Sequence, residues 1–132
     1  ANAKELTVTG KSINGLVFND LDGDGQYGWS ARYGTEPILS HVSIKVYHDG
    51  GTRGVLEKND QLLVQTKTDG NGIFQVEGME AGYYLVVEDD PADFASVTAN
   101  VVAVEYRPDM PGGAELQIFF ADRKVDRSQL TQ

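Results

Sequence analysis

The stretch His41-Val42-Ser43-Ile44-Lys45-Val46-Tyr47-His48 decides the fold class of this 132-residue chain. Val42, Ile44 and Val46 fall on one face, with Ser43, Lys45 and Tyr47 on the other. A period of two belongs to a half-buried β-strand, because successive side chains of a pleated backbone point to opposite sides. Working outward, residues 11–18 read as a strand before it, and residues 61–68, 73–76 and 83–88 as strands after it. Asp69-Gly70-Asn71-Gly72 is a tight hairpin turn, since glycine and asparagine accept positive φ. Residues 78–82 make the next connection. Residues 97–106 and 114–121 complete the set, separated by Pro108, Pro111, Gly112 and Gly113. Residues 89–94 suit one helical turn, with Pro91 at its first position. The expectation is an all-β, immunoglobulin-like antiparallel β-sandwich of about seven strands.

The length fits one domain, with a core over about residues 5–124 and a tail or linker over 125–132. Ala1-Asn2-Ala3 is similar to the end of a signal-peptide cleavage box, and both ends read as cut from a longer polypeptide. Neighbouring domains of that polypeptide are then the first expected partners. Asp and Glu number 20 against 11 Lys and Arg, a net charge of −9. That balance repels nucleic acid and anionic membranes and favours divalent cations. The chain has no cysteine, which rules out disulfides and thiolate metal sites. No apolar run approaches the roughly 18 residues that a membrane-spanning helix needs.

The acidic loop Asn19-Asp20-Leu21-Asp22-Gly23-Asp24-Gly25-Gln26 has the form D-x-D-x-D-G, the first half of a calcium loop. Calcium takes six to eight oxygen ligands, and alternate residues of a curled loop aim their carboxylates at one centre. Gly25 permits the sharp turn, and the Gln26 carbonyl is placed to add a backbone oxygen. An EF-hand would carry glutamate at the twelfth position, where this chain has Ala31. The next carboxylate is Glu36, in Thr35-Glu36-Pro37, and strands rather than helices flank the loop.

Taken together, Ser12-Ile-Asn-Gly-Leu-Val-Phe-Asn-Asp-Leu-Asp-Gly-Asp-Gly25, Glu36-Pro37, Val42-Ser-Ile-Lys-Val-Tyr47, Thr68-Asp-Gly-Asn-Gly-Ile-Phe74 and Gly82-Tyr-Tyr-Leu-Val-Val-Glu88 resemble the SdrD B-like repeat family. The resemblance covers roughly residues 11–88. It implies a prealbumin-like, calcium-binding sandwich module of a bacterial surface or secreted protein, hence an extracellular location. It assigns Asp20, Asp22, Asp24 and Glu36 as side-chain ligands and Gln26 as a carbonyl ligand, across a five-residue insertion before Glu36. The function it implies is that of a calcium-stabilised spacer or display module.

Three other features bear on function. A second loop, Asp49 to Asp60, keeps acids at positions one, nine and twelve and Gly54 at six, but has Gly51 and Arg53 at positions three and five. It is expected to hold no ion. The insertion gathers Tyr27, Trp29 and Tyr33, including the chain's single tryptophan. Such rings either bind a glycan or surface protein in an adhesion role, or fold back and cap the sandwich. Finally, related pilin-type sandwiches join a first-strand lysine to a last-strand Asn or Asp beside a glutamate. Lys11, Asp122 and Glu88 lie on roughly those strands, but strand-end charges are usually solvated, so the bond is not expected. No catalytic motif is present, and the two histidines, His41 and His48, lie too far apart along one strand to share a proton or a metal. The chain is not expected to be an enzyme.

Overall fold

The computed structural model describes residues 4–32, 34–50, 54–58, 60–98, 100–111 and 116–124. Tyr33, Arg53 and the expected tail 125–132 lie outside the described residues. The strands are β1 (Lys4–Thr9), β2 (Ser12–Asn19), β3 (Trp29–Ser30), β4 (Gly34–Thr35), β5 (Ser43–His48), β6 (Leu62–Lys67), β7 (Ile73–Glu77), β8 (Gly82–Glu88), β9 (Phe94–Ser96), β10 (Val101–Arg107) and β11 (Ile118–Lys124). They form two packed sheets, β1-β10-β8-β5-β6 and β7-β2-β11-β9, with β3 and β4 as a separate two-stranded ribbon.

The all-β sandwich agrees with the sequence reading, and four details differ. Residues 4–9 add a strand, because Leu6 and Val8 give one apolar face that packs at the free edge of β10. The expected strand over 97–106 divides into β9 and β10 around a turn. The turn near Pro91 closes with a single bond from Phe94 N–H to the Pro91 carbonyl, 3.1 Å, and does not extend into a helix. The sheets are also mixed. β1 pairs with β10 and β2 with β11 in parallel, while all other pairs are antiparallel. Parallel partners need long connections, and these strands are far apart in sequence.

In β5 the alternation holds: Ile44 and Val46 are fully buried while Ser43, Lys45 and Tyr47 are half-buried. β2 is different, being buried on both faces. Ile13 and Val17 face the core between the sheets, together with Phe74, Val86, Val104, Tyr106, Ile118 and Phe120. Leu16 and Phe18 face outward and meet Ala121 and Ile38 in a second apolar cluster. The segment 36–39 forms its lid, held by Asn19 N–H to the Pro37 carbonyl (2.8 Å) and Leu39 N–H to the Val17 carbonyl (2.9 Å).

The inward rows of two facing strands end in acids. On β8 the row runs Tyr84, Val86, Glu88, and on β11 it runs Ile118, Phe120, Asp122, all buried. Gly15 of β2 has no room for a side chain. A Cβ there would stand 2.3 Å from the Ile118 carbonyl oxygen and 2.6 Å from the Phe74 ring. Gly15→Ala is therefore expected to destabilise the sandwich by about 3 kcal/mol, the upper end of the usual overpacking range. Urea unfolding of the purified variant would measure it.

Candidate metal centre

The acidic loop leaves β2 at Asp20, and its curl is fixed by its own carboxylates. Asp20 is fully buried, and its two oxygens accept Gly23 N–H (3.0 Å) and Gly25 N–H (2.7 Å). Asp24 Oδ1 accepts Gln26 N–H at 2.9 Å. Gly23 and Gly25 take φ of +73° and +76°, the left-handed region where a side chain is strained. The D-x-D-x-D-G spacing thus produces a loop whose amides and glycines turn successive carboxylates inward.

Glu36 arrives from the other end of the loop. The five-residue insertion does not carry it away, because the inserted chain folds on itself as a ribbon, with Trp29 opposite Thr35 and Ser30 opposite Gly34. Glu36 N–H then bonds the Gly28 carbonyl at 3.1 Å. Its carboxylate accepts Leu21 N–H (2.9 Å) on Oε2 and Gly28 N–H (3.1 Å) on Oε1. The result is that Asp20, Asp22, Asp24 and Glu36 each offer a carboxylate oxygen, all within 4.8 Å of one another. Asp20 and Glu36 are buried, and Asp22 and Asp24 are exposed. Burial, with the Asp20 and Asp22 carboxylates beside it, pushes the Glu36 carboxyl above the usual range, and the Gly28 N–H opposes that shift. Four converging carboxylates of this kind offer only hard oxygen donors, a set suited to a hard divalent cation. Gln26 lies at the mouth of the loop, exposed, with its N–H committed to Asp24.

The aromatic residues of the insertion separate. Tyr27 packs edge-on against Phe18, ring centroids 5.3 Å apart, and so caps the outer apolar cluster. Trp29 is 71 % exposed on β3. In the second loop, Asp49 Oδ2 accepts Gly54 N–H (2.8 Å), and Asp60 accepts Gly50 N–H (3.3 Å) and Glu57 N–H (2.8 Å). These acids serve the amides of their own loop.

Lys11 does not meet Asp122. It precedes Ser12 at the start of β2, whereas Asp122 is in register with Asn19 at the end of the strand. Eight residues of extended chain, about 26 Å, separate the two levels. What stands beside Asp122 is Glu88, from the opposite sheet, with Asp90 completing a second carboxylate group within 4.8 Å. In the sequence Glu88 and Asp122 stand out only as candidate crosslink partners, and nothing marks Asn19 or Asp90 as their neighbours. The signal for the pair was parity, since each acid continues an inward apolar row.

Burial first, then the adjacent Asp122 carboxyl, pushes Glu88 up to about 10, with the charges of Asp90 and Asp89 adding to the shift. Burial likewise raises Asp122, to about 6. Without metal, the folded pair therefore binds protons that the unfolded chain releases above the ordinary carboxylate range, near 4.5 for Glu88. A raised carboxyl pKa makes stability fall as pH rises, by about 1.4 kcal/mol per pH unit between the two values. In chelator, the melting temperature is expected to be higher at about pH 6 than at about pH 8, and Glu88→Gln should remove most of that difference. Lys45 Nζ pairs with the neighbouring Asp89 at 3.4 Å.

No family model matches the chain. The chain is similar to Colossin-C of Dictyostelium discoideum, 29 % identical over 78 residues that make up 59 % of this chain. The match spans only 7 % of that much longer protein.

Proposed function

We propose that this chain is a calcium-stabilised structural module, a spacer or display unit of a larger extracellular or surface protein. The observation that carries the reading is the convergence of Asp20, Asp22, Asp24 and Glu36 from the two ends of one loop. An ion bound there ties the long connection between β2 and β5 to the body of the sandwich. It replaces the mutual repulsion of four carboxylates with attraction to one centre, and the Gln26 carbonyl adds a further oxygen ligand. The resemblance of residues 11–88 to the SdrD B-like family supports the choice of calcium.

Extracellular modules bind calcium with dissociation constants of about 10⁻⁴ to 10⁻³ M. At a calcium level of about 1 mM, linkage then adds roughly 0.4 to 1.4 kcal/mol of stability. That is modest against the whole fold and large against the local stability of a loop. The melting temperature is expected to rise by a few degrees on moving from chelator to millimolar calcium. Asp22→Ala, an exposed position, should make that rise clearly smaller by removing the share the loop contributes. Identical curves for the parent chain in chelator and in calcium would reject the reading.

A second reading rests on the exposure of Trp29. The side chain stands on a ribbon that the metal site would hold rigid, a suitable platform for a glycan or a protein partner. If the ribbon is a recognition surface, Trp29→Ala should abolish adhesion to the partner surface and leave the melting temperature unchanged. A purely structural module would keep its adhesion.

A further inference from the structure

At the end of the sandwich core, Glu88 of β8 and Asp122 of β11 face each other from opposite sheets, 2 % and 0 % exposed. Their four carboxylate oxygens are buried and have no hydrogen-bond partner, and neither has the buried Oδ1 of Asn19. Asn19 is the register partner of Asp122, so in this parallel pair the two side chains project from the same face. Lys45 pairs with Asp89, and Arg107 pairs with Glu105 and Asp109, so these cations are directed to other carboxylates.

Five buried acceptors without a donor are costly, because a lone buried oxygen loses its hydration and gains nothing in return. A proton shared between Glu88 and Asp122 joins two of the five and leaves three. A cation that takes six or more oxygens can satisfy all of them. The mouth of the site is also prepared for one. Asp90 lies exposed at the edge, with a carboxylate oxygen within 4.8 Å of those of Glu88 and Asp122. Its carboxylate is held by the Ser96 hydroxyl, 2.7 Å from Oδ1, and by Asn100 Nδ2, which donates to Oδ2 at 3.2 Å.

We propose that Glu88, Asp90, Asp122 and the Asn19 side-chain carbonyl form a second binding site for a hard divalent cation, calcium in an extracellular setting, bridging the two sheets. This site is separate from the acidic loop and does not rest on the reading of it. The two are nevertheless back to back: Asn19 serves the inter-sheet group, Asp20 serves the loop, and Asp20 N–H bonds the Asp122 carbonyl at 2.7 Å.

Calcium bound per chain, counted by equilibrium dialysis of the intact chain in about 10 mM calcium, roughly tenfold above the weakest dissociation constant expected of extracellular modules, tests the proposal with calcium alone as the probe. The parent chain should bind two ions, a variant carrying Asp22→Ala and Asp24→Ala one, Glu88→Gln one, and the triple variant none. Glu88→Gln keeps the side-chain shape and cannot ionise, so the variant should fold, which circular dichroism would check. Asp90→Asn is a second probe that leaves the core intact, and it should weaken one of the two ions by about tenfold through loss of a ligand charge. An ion count unchanged by Glu88→Gln, or an affinity unchanged by Asp90→Asn, would overturn the second site and leave a proton-sharing acid pair. A single ion lost with Glu88→Gln but retained by the loop variant would uphold this site and reject the loop reading.

Discussion

The parallel pairing of β2 with β11 is the constraint on which the acidic end of this molecule depends. It sets Asn19 level with Asp122, and the bond from Asp20 N–H to the Asp122 carbonyl extends the ladder one residue into the loop. Because side chains alternate along a strand, consecutive residues at that point turn to opposite sides. Asn19 goes to the space between the sheets, and Asp20 goes to the acidic loop. A slip of one residue in this register would exchange them and bury the wrong row of β2.

That pairing is itself protected on both faces. Ile13 and Val17 fix β2 against the inter-sheet core, while Leu16 and Phe18 fix it against Ala121 and the lid over 36–39. The lid also delivers Glu36, whose position follows from the Asn19–Pro37 and Leu39–Val17 backbone bonds as much as from its own contacts. Apolar packing and carboxylate placement are therefore one device. The outer cluster gains burial from the same segment that brings the fourth carboxylate home, and Tyr27 closes that cluster against Phe18.

Two groups of like charges, each partly buried, stand against this apolar packing. In the loop, backbone amides meet the oxygens of Asp20, Asp24 and Glu36, which lowers the cost of holding them close. Between the sheets no amide reaches Glu88 or Asp122. The first group is organised by the loop's own backbone, whereas the second needs a proton or a cation from outside. Such a difference makes the loop a local feature and the inter-sheet group a feature of the assembled fold.

The fold class and the loop were legible in the sequence, because both depend on short-range periodicity. The alternation in residues 42–47 reports a strand through the pleat, and the three-aspartate spacing with Gly25 reports a curled loop through backbone geometry. Other features were decided only by tertiary structure. The place of Glu36 depended on whether the insertion would fold as a ribbon, which needs the pairing of Trp29 with Thr35. The separation of Lys11 from Asp122 and the meeting of Glu88 with Asp122 depended on which strands pair and in what register. Those contacts join residues far apart in the chain, and their energy comes from burial that no single segment can provide alone.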